Sequence, residues 1–254
     1  MMVTEERKSK YVSLLLLVGL LLFFLIVIGV FSRPLRASFR PLVRNIENKF
    51  VSYKTYDYSY IESQHFLIRY EKGVDRDFVD LMGDKAEDKY KRLREYFDYK
   101  PRKKILIIIY NRPESLMEVA MLGEDTVPMG AYFGDALHIL ATEGVVLHEL
   151  AHLFTDHLGG GNFPPWFTEG VSLYFEDRID GYEWGKDVVL QADEYSAEDL
   201  TKNFYQMEEY LAYTQSYRLV KGLVDREGVD RLVDIIRDLG KGRDIGEYFH
   251  LFNN

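Results

Sequence analysis

The amino-acid sequence predicts an α+β protein: a small mixed sheet with an edge strand comes first, and a mostly helical half follows. Three observations predict it. Short apolar runs of strand length, bounded by turn residues, are confined to the first 141 of 254 residues. From Val145 onward the apolar positions recur at helical spacing. Ahead of both, Val12–Phe31 holds twenty residues without a charge, a pattern unlike anything in the rest of the chain. Strands early and helices late is the order expected of an α+β fold.

Taken in order, residues 1–11 form a short polar tail and 12–31 a membrane-spanning candidate. Twenty residues in a helix extend about 30 Å, the thickness of a bilayer's hydrocarbon core. Val30-Phe31-Ser32 could serve as a cleavage site, but the apolar stretch is longer than an ordinary signal-peptide core, which favours an uncleaved anchor in the lipid bilayer. Arg7, Lys8 and Lys10 precede the span, and Arg33, Arg36, Arg40 and Arg44 follow it, so flanking charge does not orient it. The short tail leads us to expect a single-pass protein of the cell membrane, with the large domain extracytoplasmic.

Residues 32–62 read as a juxtamembrane stalk. Pro34 and Pro41 argue against a continuous helix, and the alternation around Tyr53–Tyr60 suggests extended or exposed chain. The folded domain is expected over residues 63–254. His65–Glu71 is a first strand, Asp75–Phe97 a helix, and Ile105–Tyr110 a central strand. Pro113 opens a helix that Gly123 ends, and Gly130–Phe133 with Ala136–Ala141 forms a hairpin about Gly134-Asp135. Thr142 is a candidate N-cap for the next helix, and Pro164-Pro165 opens another. Gly159-Gly160-Gly161 is a flexible turn.

Composition excludes several functions. The absence of cysteine removes disulfide scaffolds, thiolate zinc sites, iron–sulfur clusters and a cysteine nucleophile. The net charge of −9 divides into +5 over the first fifty residues and −14 over the remainder. A domain so acidic is not expected to bind nucleic acid, whose phosphates require a basic surface.

The chemistry concentrates in His148-Glu149-Leu150-Ala151-His152. Two histidines at i and i+4 share one helix face and can hold one zinc ion. Bound zinc lowers the pKa of a water to about 7, and Glu149 beside the pair can take that proton. Two interior imidazoles on so apolar a helix would be costly without a partner, and a metal relieves that cost. A third ligand is then required. The positions where a second zinc pattern would carry Gly and His are Thr155 and Leu158, and His157 stands one place off. Glu169, in Pro164-Pro165-Trp166-Phe167-Thr168-Glu169-Gly170, is the better candidate because a following helix can return it to the pair.

The pair His148-Glu-Leu-Ala-His152 and Trp166-Phe-Thr-Glu-Gly-Val-Ser-Leu-Tyr-Phe-Glu176 resembles the gluzincin metallopeptidases, especially the peptidase MA-like family. The likeness implies a zincin-like domain with one Zn2+ per chain, bound by His148, His152 and Glu169, with Glu149 as general base. It further implies a tyrosine that donates to the oxyanion: Tyr213, with Tyr217 as runner-up. Glu176 would support a ligand or lie on the helix surface. Gly130-Ala131-Tyr132-Phe133 lacks the glutamate that grips a free amino terminus in the aminopeptidase branch, so an endopeptidase acting on peptide or protein substrates is expected. The strand Ala136–Ala141 is expected to receive an extended substrate at its edge, and His138 on it to lie at the surface or pack rather than ligate. The competing expectation is a zinc-bound but catalytically silent scaffold or ligand-binding domain at the cell envelope.

Overall fold

The computed structural model describes residues 11, 14–25, 33–122, 128–141, 145–188 and 195–253. Residues 14–25 are helical, with large side chains such as Leu15 and Leu20 exposed. The apolar stretch 12–31 lies partly outside the described residues, and among those described no helix is long and apolar enough to cross a membrane. Thr142, Gly123, the candidate cleavage site and the basic residues of the tail also lie outside them.

The helix after residues 14–25, α1 (Arg33–Lys54), corrects the expected interruption: it is continuous with Pro41 inside it. Pro41 is exposed, so its ring projects from the solvent side, while ties to the domain hold the flanking turns. Asn48 donates to the Gly134 carbonyl at 3.0 Å, and Lys54 pairs with Glu118 at 2.7 Å. After a turn comes β1 (Ser59–Glu62), a strand that sequence pattern missed. Then follow β2 (Phe66–Tyr70), α2 (Arg76–Phe97), β3 (Ile105–Tyr110), α3 (Pro113–Ala120), β4 (Gly130–Phe133) and β5 (Ala136–Leu140).

The five strands lie in the order β1-β2-β3-β5-β4. β2, β3 and β5 are parallel, and β1 and β4 run antiparallel at the two edges. The all-apolar β3 is central and wholly buried, as a continuous apolar run requires. The expected hairpin is present, and Gly134 and Asp135 both have positive φ, at 60° and 59°, the pairing that suits a two-residue turn. One expectation is corrected here. Ala136–Leu140 is not an edge strand: β3 and β4 pair with it on both sides, leaving no backbone donors for a substrate. The edge at this end of the sheet belongs to β4.

Alternation along the strands sends residues to two cores. Phe66, Ile68, Ile107, Ile109, Leu137 and Ile139 pack with α2 and the later helices, whereas Leu106, Ile108, Ala136 and Leu140 pack with α3 and with Val51 of α1. The second half is helical, as expected: α4 (Val146–Gly159), α5 (Pro165–Asp180), α6 (Ala197–Asn203), α7 (Glu209–Glu227), α8 (Val229–Gly240) and a short α9 (Phe249–Phe252). Gly170 makes the contact between α5 and α7 possible, because a β-carbon there would stand 2.4 Å from the Ser216 carbonyl oxygen.

Candidate metal centre

Helix α4 buries Val146, Leu147, Leu150, Ala151, Leu153 and Phe154, which leaves His148 and His152 on its remaining face. Pro165 occupies the first turn of α5, and one turn later Glu169 meets that face. His148 Nε2 and His152 Nε2 are 3.1 Å apart, and Glu169 Oε2 lies 3.3 Å from the first and 3.4 Å from the second. Among the described residues this trio is the group that could hold a metal ion.

Both the spacing and the charge fit a cation. Zinc bonds of about 2.0–2.2 Å at tetrahedral angles separate neighbouring donor atoms by about 3.3 Å. The three edges of the trio match that triangle. Three carboxylates, of Glu149, Glu169 and Glu176, share the part-buried site with two imidazoles. Such a surplus of negative charge, partly withdrawn from water, is stabilised by a divalent cation. The remaining imidazole nitrogens are held too: His148 Nδ1 lies 3.1 Å from Glu176 Oε2, and His152 Nδ1 lies 2.7 Å from Thr168 Oγ1. Each contact fixes a ring so that Nε2 points at Glu169. Glu176 therefore acts on His148 and is not a mere surface acid. Thr168 escaped sequence reasoning, although its place immediately before Glu169 on a helix facing the histidines was the available signal.

Glu149 is buried, and burial raises its carboxyl pKa above the ordinary value, with the imidazoles of His148 and His152 opposing and Glu169 and Glu176 assisting. Burial also opposes ionisation of Glu169, but His152 and His148 outweigh it and hold this carboxylate well below the usual range. The two acids are thus driven apart, one toward a proton-carrying group and one toward a permanent anion.

A cleft of about 1100 Å³ surrounds the trio. Gly130 and Tyr132 of β4 line it, with Tyr213 of α7, Phe204 and Met207. Tyr213 rests on Trp184 and Phe204, at centroid distances of 6.0 and 5.6 Å. Burial and the Glu169 carboxylate raise its phenol pKa. Tyr217 is elsewhere: its hydroxyl donates to Asp177 Oδ2 at 2.7 Å, so the runner-up for the oxyanion role is engaged away from the site. His157 is bound by Asp135 and by the Tyr99 hydroxyl, outside the trio. His138 is fully buried, between the Tyr110 hydroxyl at 2.7 Å and the Phe133 carbonyl at 3.0 Å, a packing role as expected.

Residues 85–251, more than half of the chain, match the peptidase MA superfamily. The chain belongs to the peptidase MA superfamily. The matched region of this superfamily member contains α4, α5 and all three residues of the trio, and α1 precedes it. No curated protein matches the chain.

Proposed function

We propose that this chain is a membrane-anchored, zinc-dependent peptidase that cleaves within polypeptide chains. The observation that carries the reading is the triangle of His148 Nε2, His152 Nε2 and Glu169 Oε2, with edges of 3.1, 3.3 and 3.4 Å, beside the buried Glu149. Zinc bound by this trio would supply Lewis-acid polarisation of a carbonyl and a water acidic enough to lose its proton near neutral pH. His148, His152 and Glu169 would hold the ion, and Glu176 and Thr168 keep the two rings aligned. Glu149 accepts the proton of the attacking water on its carboxylate and returns it to the departing amine, a task suited to a carboxyl whose pKa burial has raised. Tyr213 donates its phenolic hydrogen toward the negative charge that develops on the carbonyl oxygen. The unpaired edge of β4, beside Glu149, receives the substrate backbone in extended form.

The endopeptidase preference is supported by the absence of a glutamate in Gly130-Ala131-Tyr132-Phe133, where an amino terminus would be held. The apolar run at 12–31 supports a bilayer anchor. A silent zinc scaffold would call for a closed four-ligand shell, whereas among the described residues three ligating side chains gather.

The test combines metal analysis of the purified full-length chain with cleavage of an unbiased peptide library. The expected result is one zinc per chain and internal cleavage that chelation abolishes. Glu149→Gln should keep the zinc and lose about 10²–10⁴-fold in turnover; full turnover in that variant would overturn the assignment of the base.

A further inference from the structure

We infer that helix α1 is one wall of the substrate cleft, and that Phe39 and Val43 form an apolar subsite selecting a large apolar side chain of the peptide. The inference rests on the peptidase reading and names a specificity element that lies outside the matched family region, which begins at residue 85.

Three relationships run in a line away from the metal trio. Gly130 of β4 faces Glu149, since a β-carbon there would stand 2.9 Å from Glu149 Oε1. Two residues along β4, the Tyr132 hydroxyl donates to Asp156 Oδ2 at 2.8 Å, one helical turn past His152. Asp156 in turn receives Arg40 Nε at 2.9 Å and lies 3.3 Å from Arg44 Nε. A peptide laid along β4 past Glu149 therefore runs up against α1.

The contact is close enough to be a fixed wall. A β-carbon on Gly160, the residue capping α4, would stand 2.8 Å from Ala37 Cα, and one on Gly161 would stand 3.2 Å from Arg40 Cδ. Arg40 and Arg44 point into the domain, and Arg40 also reaches Glu47 at 3.2 Å, so its cation is already matched by carboxylates. Beside the matched guanidinium of Arg40, what α1 offers the cleft is hydrocarbon. Phe39 and Val43, one turn apart, line it next to Arg40 and Phe163, only part-buried and belonging to neither hydrophobic core. Half-covered apolar side chains beside a peptide track gain most from an apolar partner.

The experiment uses the full-length chain and paired fluorogenic peptides that differ only in carrying Leu or Ala at the position most selected in the library. Phe39→Ala/Val43→Ala should lower the Leu-over-Ala ratio of kcat/KM about tenfold, chiefly through KM. Leu42→Ala, on the exposed side of the same helix, should leave the ratio unchanged. An unchanged ratio in the double variant, or an equal fall in Leu42→Ala, overturns the inference. If the wild-type chain cleaves no peptide, the peptidase reading fails separately. Fluorescence anisotropy of a labelled extended peptide with Leu at alternate positions then decides the wall: about tenfold weaker binding to the double variant supports it, and equal or absent binding overturns it.

Discussion

Gly130 and Glu149 are matched in space: a β-carbon on residue 130 would stand 2.9 Å from Glu149 Oε1, 3.0 Å from Val145 Cγ2 and 3.1 Å from the His138 carbonyl oxygen. The carboxylate occupies room that only glycine leaves. Gly130→Ala should push Glu149 out of line while leaving the trio intact. A displacement of about 1 Å at a reacting group costs about 10²-fold in rate. The expected outcome is a fall in kcat of that order with zinc content unchanged, read from steady-state kinetics beside metal analysis. Loss of the metal together with the activity would show that the crowding acts elsewhere.

Glu176 reaches the metal trio only through the 3.1 Å contact with His148 Nδ1. Glu176→Gln keeps a hydrogen-bond acceptor but removes the charge that makes the imidazole a better ligand. Zinc affinity should weaken about 10–100-fold, measured by competition with a chromogenic chelator. Activity at saturating zinc should largely return.

Asp156 is a nearly buried carboxylate between two guanidinium groups and the Tyr132 phenol. Asp156→Asn leaves Arg44 without its counter-charge and Arg40 with Glu47 alone, and breaking a buried pair from one side costs about 3 kcal/mol or more. The urea midpoint should fall accordingly, and limited proteolysis should cut within residues 33–54 before it cuts the helical half.

His138 makes acid stability specific to one residue. The Phe133 carbonyl can only accept, so Nε2–H donates to it and Nδ1 accepts from the Tyr110 hydroxyl, the neutral form of the ring. Burial depresses its pKa from 6.5 to about 4. Between those values the unfolded chain binds the proton and the folded chain does not, so stability falls as pH drops from 6.5 toward 4. The contribution amounts to about 3 kcal/mol across that window. His138→Asn should be less stable at pH 7 but should lose less on acidification, as urea midpoints at pH 7, 5 and 4 would register. Equal slopes would assign the acid sensitivity to other groups.

How much of this was legible in the sequence depends on the range of the interaction. His148 to Glu169 spans two consecutive helices, and helical periodicity alone puts the pair on one face, so the trio could be named before any coordinates. The role of Glu176 needed the distance to His148, because a helix-surface acid and a ring-orienting acid share the same spacing. Ser59–Glu62 is short and mostly exposed, and the alternation around Tyr53–Tyr60 reached only its first two residues without marking a strand. The order of the sheet was equally hidden: β5 enters between β3 and β4, a pairing set by packing against distant helices, and this moved the substrate edge from Ala136–Leu140 to Gly130–Phe133. For α1, Pro41 outweighed everything else locally, and the ties that overrule it, Arg40 and Arg44 to Asp156, reach across more than a hundred residues.

That last separation bears on how the protein assembles. The residues of the trio are neighbours along the chain, whereas Arg40 meets Asp156 across 116 positions. Closing so long a loop is slow and costs chain entropy, while joining two adjacent helices is fast. The metal trio can therefore form early, with the wall of the cleft docking last. A nascent chain would pass through a stage in which the trio is gathered but the cleft around it is still open on one side.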